Sequence, residues 1–230
     1  EIYTLSLHDA LPIWFSDTPE MRLFMVRHGE TAWNREGRLQ GQRDIPLDET
    51  GLRQAELTAG RFRGFPLDAV LSSPLRRAEA TGRRIFEAAE CESFVTDPGF
   101  MEIHHGDWEG MTVREIAQKD ASLLEEWHSC PERVRMPGPG GETLADVQRR
   151  AVSALDRAMP NSGKDALLVT HGAVLKVLIC HFLDVPLSCY WRLRIPNCGV
   201  SCVEFPEGMP RVALLSDVGH LREGRGNFLR

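Results

Sequence analysis

Apolar residues fall along this chain in two rhythms. Largely apolar runs at 23–26, 67–71 and 167–169 are short and bounded by polar or turn-forming residues, as buried strands are. Between them, apolar positions recur at helical spacing. Leu52, Ala55, Leu57, Ala59 and Phe62 follow Asp48, a plausible N-cap, and predict a helix there. Ser73-Pro74 predicts a second helix, with serine as cap and proline in the first helical position, running to about Ala89. A short strand is predicted over 93–96, a loop over 102–110, a helix from Thr112 and partial helix over 125–136. The cluster Pro137-Gly138-Pro139-Gly140-Gly141 breaks the pattern. Thr143 to Asp146 then resembles a capping box opening a helix that reaches Met159. A helix over 173–183 and closing strands over 200–205 and 212–215 complete the chain, and 27–46 reads as irregular loop. Strands alternating with helices predict an α/β fold, a three-layer α/β/α sandwich on a mostly parallel sheet.

Composition narrows the class. A chain of 230 residues, 42% hydrophobic and 26% charged, fits one ordinary domain with a sizeable core. That domain is expected over 21–230. Residues 1–20 are expected to be a non-native or disordered tail, because 1–13 resembles translated sequencing-adapter DNA. The apolar run 11–15 has neither a basic segment before it nor a small-residue cleavage site after it, so a signal peptide is not expected. A net charge of -6 offers no bulk-basic surface for nucleic acid, and no apolar run is long enough to cross a membrane. The six cysteines form no CxxC pair and read as reduced thiols of a cytoplasmic protein. Oligomeric state is open, and a homodimer is compatible with the sequence.

The candidate chemistry collects at strand ends. Val26-Arg27-His28-Gly29 follows the first strand, and Val169-Thr170-His171-Gly172 follows a later one. Either His-Gly alone fits a polar strand end without chemistry. If the two strands are parallel neighbours, both imidazoles sit over one edge of the sheet, where open α/β folds bind ligands. Gly29 is expected to allow a sharp turn there. Arg76 and Arg77 open a predicted helix with the wrong charge for its dipole, unless an anion compensates. The stretch from Met101 to Gly110 mixes carboxylates, histidines and Trp108. His104, His105 and Asp107 could be metal ligands, but adjacent residues rarely converge on one ion. A single carboxylate near an anion is the better reading, since phosphomonoester cleavage needs an acid for the leaving oxygen.

Seven motifs in order resemble the histidine phosphatase superfamily, the phosphoglycerate-mutase-like fold. They are Arg27-His28-Gly29-Glu30-Thr31, Arg38-Leu39-Gln40-Gly41-Gln42, Asp44-Ile45-Pro46-Leu47, Ser72-Ser73-Pro74-Leu75-Arg76-Arg77-Ala78, Trp108-Glu109-Gly110, Gly140-Gly141-Glu142-Thr143 and Thr170-His171-Gly172. The resemblance spans 22–220. It implies that His28 is the nucleophile and that Arg27, Arg77 and His171 hold the phosphoryl oxygens. It makes Glu102 the proton donor and later the base for water. It implies that Asn34, Gln40, Gly41 and the Gly172 amide line the phosphate or substrate pocket. No metal and no cofactor are implied, and the partner is a small phosphorylated substrate.

Within that family, hydrolysis is expected rather than mutase chemistry. The segment from Glu102 to His171 is short, and its arginines (Arg114, Arg133, Arg135, Arg149, Arg150) are scattered, several of them expected to face solvent. Gly172-Ala173-Val174-Leu175 is more apolar than the mutase pattern. The branch resembled includes broad-specificity phosphatases and α-ribazole phosphatase. The alternatives are a cofactor-dependent phosphoglycerate mutase and a non-catalytic phosphate-binding domain on the same scaffold.

Overall fold

The computed structural model describes residues 21–159 and 165–221; the expectation for 1–20 lies outside them. In chain order the elements are β1 (Arg22–Arg27), α1 (Ala32–Glu36), α2 (Glu49–Arg61), β2 (Ala69–Ser72), α3 (Arg76–Ala88), β3 (Phe94–Thr96) and α4 (Val113–Lys119). They continue with α5 (Ala121–Ser129), α6 (Leu144–Ala158), β4 (Ala166–Thr170), α7 (Gly172–Phe182), β5 (Val200–Glu204) and β6 (Arg211–Asp217). One six-stranded sheet has the order β3-β2-β4-β1-β5-β6. β3, β2, β4 and β1 pair in parallel, while β5 runs antiparallel to both β1 and β6. The sheet is therefore mixed, with its antiparallel pairings at one edge.

Alternation along the central strands builds two cores. Leu23 and Met25 of β1, Ala69 and Leu71 of β2, and Ala166 and Leu168 of β4 join a large cluster with α4 to α7. Val26, Val70, Leu167 and Val169 point the other way, into a smaller cluster with Ala59, Phe62, Ala78 and Ile85 of the α2–α3 side. Strands buried on both faces read as continuous apolar runs, which is why these strands are visible in the sequence. The helices on each face give the predicted three layers.

Three local expectations are corrected. The 27–46 stretch contains α1, closed by a capping box in which the Thr31 and Asn34 side chains satisfy each other's backbone. Five residues with no apolar repeat carry no periodic signal. The helix at Ser73-Pro74 starts later: Leu75 is its N-cap and makes no side-chain cap bond. Its first amide is satisfied from a distance, by Asp44 Oδ1 accepting from Arg76 N at 2.8 Å. Ser73 is diverted to another task, described below. Finally, Gly29 does not take a left-handed turn; it is needed because a Cβ there would lie 2.5 Å from the Gly51 carbonyl oxygen. Gly51 is pressed equally hard, its Cβ position falling 2.0 Å from the Glu30 carbonyl oxygen.

This contact reverses the usual rule for a glycine inside a helix. Replacing helical glycine by alanine ordinarily stabilises by about 1 kcal/mol. Gly51→Ala in α2 is expected to destabilise by about 1–3 kcal/mol, because backbone rather than a flexible side chain must give way. Urea denaturation of the two proteins reads the sign directly.

Candidate active site

The parallel pairing of β1 with β4 is what brings the two histidines together. Arg27 is in register with Thr170, and His28 N donates to the Thr170 carbonyl at 2.9 Å. The next residues, His28 and His171, therefore leave the sheet side by side, with ring centroids 5.1 Å apart. Both are buried. His28 Nδ1 lies 2.6 Å from the Gly29 carbonyl oxygen. A carbonyl can only accept, so Nδ1 carries the proton and Nε2 keeps its lone pair. Burial first, and then the charges of Arg77 and Arg27, hold the His28 pKa well below the ordinary 6.5. The neutral ring, with its Nε2 lone pair free, is thus the resting form.

His171 Nε2 is 2.8 Å from Ser73 Oγ, and this is the task that takes Ser73 away from helix capping. Ser73 Oγ accepts from Leu75 N at 3.3 Å, and among the described residues His171 Nε2 is the acceptor available for its own proton. The proton of neutral His171 then sits on Nδ1, a buried atom with no acceptor among the described residues. Burial, followed by Arg77 and His28, keeps this ring uncharged too.

Two guanidinium groups surround the pair. Arg77, fully buried, turns back from the start of α3 to donate to the carbonyls of Arg43 and Gly41, each at 2.7 Å. Burial lowers its pKa to about 10, opposed by Glu102 and Asp44, so it remains a cation at neutral pH. Arg27 donates to the Ile195 carbonyl at 2.7 Å. The Nε atoms of both arginines are buried without an acceptor among the described residues. Arg76, its neighbour in sequence, is exposed.

Glu102 faces this group from the N-terminus of α7. Its Oε1 accepts from Ile103 N at 3.0 Å and from Ala173 N at 3.2 Å. Gly172 lies between it and Arg27: a Cβ there would be 3.7 Å from Arg27 Nε and 3.8 Å from Glu102 Oε2. His28, His171, Arg27, Arg77, Glu102 and Gly172 therefore form one site. Gly41 supports it from outside: its carbonyl holds Arg77, and its φ of +53° with Glu109 packed over it admits no side chain. Gln40 is buried beside it, with Oε1 unpaired among the described residues. Asn34 uses its side-chain oxygen to cap α1. The proposed metal ligands diverge. His104 accepts from Gly106 N at 3.0 Å, while His105 is buried against Met136 and Trp127. Among the described residues no cluster of three metal-binding side chains exists, and no helix is long and apolar enough to cross a membrane.

The family model described as histidine phosphatase superfamily (branch 1) matches residues 23–218. The chain belongs to the histidine phosphatase superfamily. A Yersinia pestis relative described as a probable phosphoglycerate mutase, GpmB, is 35% identical over 188 residues, covering 81% of this chain and 86% of its own. The solved structure of Bacillus stearothermophilus YhfR has a TM-score of 0.79 at 35% identity, covering 88% of this chain and 100% of its own. Phosphoserine phosphatase from Entamoeba histolytica, solved with 3-phosphoglyceric acid, has a TM-score of 0.77 at 30% identity, covering 88% and 100%.

Several residues that serve this histidine phosphatase site escaped the sequence reading. Arg150, grouped there with scattered arginines, is an internal clamp. It donates to the carbonyls of Gly99, Met101 and Glu102 at 2.6–3.0 Å and pairs with Glu142 at 2.7 Å. Glu142 in turn accepts from His104 N at 2.8 Å. The pair thus grips the loop that carries Glu102 on both sides. Asn197 Nδ2 donates to the carbonyls of His28 at 2.9 Å and Gly29 at 3.2 Å, and to Asn34 Oδ1 at 3.3 Å. Neither the helical position of Arg150 nor the loop position of Asn197 signals such a partner. The Gly140-Gly141-Glu142-Thr143 motif was the available hint.

Two outcomes follow from this geometry. Arg150→Met should lower kcat by roughly 10–100-fold, because displacement of the Glu102 loop by about 1 Å is enough for such a loss; steady-state kinetics beside a thermal melt separates this from unfolding. The second concerns acid. His28, His171 and His105, the last pushed down to about 4 by burial, all have folded pKa values below 6.5. Below pH 6.5 the unfolded chain binds more protons, so stability is full above that value and is lost as pH falls toward the folded values. Urea midpoints should hold from about pH 8 to about pH 7 and then decline toward about pH 5; a series flat over the whole range contradicts the buried neutral rings.

Proposed function

We propose that the protein is a phosphomonoester hydrolase of the histidine acid phosphatase type, working through a phosphohistidine on His28. The observation that carries this is the pairing of His28 Nδ1 with the Gly29 carbonyl, which leaves a neutral Nε2 lone pair among fixed cations. Three buried donors, Arg27 Nε, Arg77 Nε and His171 Nδ1, lack acceptors among the described residues and suit the oxygens of a phosphoryl group. In the first step His28 Nε2 attacks phosphorus in line, the P–O bond to the alcohol breaks, and Glu102 gives its proton to the departing oxygen. In the second, Glu102 takes a proton from water, the hydroxide attacks phosphorus, and the N–P bond breaks to return His28 and release inorganic phosphate. Catalysis here is positioning and charge neutralisation, which arginines and a polarised imidazole supply.

The physiological substrate is a small phosphorylated metabolite; broad specificity and α-ribazole 5'-phosphate both lie within this reading. Phosphoglycerate mutase activity is the second reading, favoured by the name of the Yersinia relative. Against it, four of the arginines between Glu102 and His171 are paired with carboxylates: Arg135 and Arg149 with Asp146, Arg133 with Glu132, and Arg150 with Glu142. That pairing argues against a second anion site built from these four.

Trapping with a labelled phosphomonoester tests the proposal. Label should survive alkali, vanish in acid and be absent from His28→Ala, whose turnover falls by roughly 10³-fold or more. Phosphate exchanged between glycerate positions without release of inorganic phosphate would favour the mutase, and no label at all would favour a binding domain.

A further inference from the structure

Helix α7 is lined by buried Ala173, Val174, Leu175, Val177, Leu178, Ile179 and Cys180, yet a lysine interrupts this run at 176. Its ammonium lies 4.3 Å from the ring centre of Tyr190 and 4.5 Å from that of Trp191. Among the described residues it forms no ion pair with a carboxylate. A desolvated cation without a counter-charge is costly, and two aromatic faces recover only part of that cost. Packing alone would be served better by leucine or methionine.

Position explains the lysine. Lys176 lies three residues beyond Ala173, whose amide binds Glu102 at 3.2 Å, so the two share one face of α7. Side chains on a helix lean toward its N-terminus, which directs Lys176 back to the turn that holds the acid. The charges acting on it most strongly are those of Glu102 and then Arg27, both members of the site. In an in-line displacement the leaving oxygen departs on the side of the proton donor. The remainder of the alcohol therefore extends past Glu102, toward Lys176. Tyr190 is buried, but Trp191 is 43% exposed, so the aromatic pair opens to solvent on one side.

We propose that Lys176 is a specificity residue that binds a carboxylate carried on the leaving alcohol of the substrate. One ammonium matches one carboxylate, and Arg27 is already committed to the transferring phosphoryl group. The inference rests on the hydrolase reading above, and it adds the substrate class: phosphorylated small hydroxy acids or amino acids. Burial lowers the Lys176 pKa to about 8, so the group is still mostly charged at neutral pH.

A matched substrate pair tests it: 3-phosphoglycerate against glycerol 3-phosphate, which replaces the carboxylate by a hydroxymethyl group. The full chain should favour 3-phosphoglycerate in kcat/KM for phosphate release. In Lys176→Met that preference should shrink by about 10–100-fold, mainly through KM, as expected for loss of a charge-assisted contact. Lys176→Arg should keep part of it. An unchanged preference in Lys176→Met, or a wild-type preference for glycerol 3-phosphate, overturns the inference. If neither compound is hydrolysed and no labelled phosphomonoester gives a phosphohistidine, the hydrolase reading fails instead. The same affinity ratio, measured by calorimetry on His28→Ala with and without Lys176→Met, then decides the role of Lys176 by itself.

Discussion

Two imidazoles can stand 5.1 Å apart amid arginines because burial keeps both of them uncharged. Protonate either, and an uncompensated cation would face Arg27 and Arg77 in a medium that screens poorly. The rest of the site is arranged around this constraint. The Gly29 carbonyl decides which nitrogen of His28 holds the proton, and the Ser73 hydroxyl does the same for His171. The rings are thus held both neutral and oriented, at the end of two strands whose register leaves them no other place.

The positive charge that such a site needs is costly to bury, and the structure meets that cost with backbone carbonyls. Arg77 is fully enclosed and binds the carbonyls of residues 41 and 43; Arg27 binds that of Ile195; Arg150 binds three in the 99–102 stretch. Carbonyl oxygens orient a guanidinium without neutralising it, so the charge stays available to a phosphoryl group. Arg150 differs in being paired with Glu142, and it differs also in its task, which is to hold a loop. A carboxylate partner on Arg27 or Arg77 would compete with the substrate anion.

In the proposed reaction the same logic separates the two sides of the phosphorus. On the nucleophile's side the neighbours are neutral rings and fixed cations. On the leaving-group side stand the carboxyl of Glu102, the first turn of α7, and beyond it Lys176 under two aromatic rings. In the proposed reaction the first side suits any phosphoryl group; the second differs in charge and shape, and it is there that we place the choice between alcohols.

Much of this was legible along the chain. The apolar runs of the central strands announce themselves because both faces of the sheet are covered, and the His-Gly pairs at two strand ends locate the site. What lay hidden depends on contacts between distant residues. Gly29 reads as a turn glycine, but it is required by Gly51, which lies in α2. Ser73 reads as a helix cap, but His171, nearly a hundred positions away, claims its hydroxyl. Arg150 and Asn197 carry no local signal, since a side chain's direction and the carbonyls it meets are set by how the layers pack. Local propensity and periodicity determined which segments are strands and helices, because those rest on neighbours in the chain. Which polar atoms are buried, which are paired and which are left facing the substrate was decided by the tertiary structure, because desolvation and hydrogen bonding act across space.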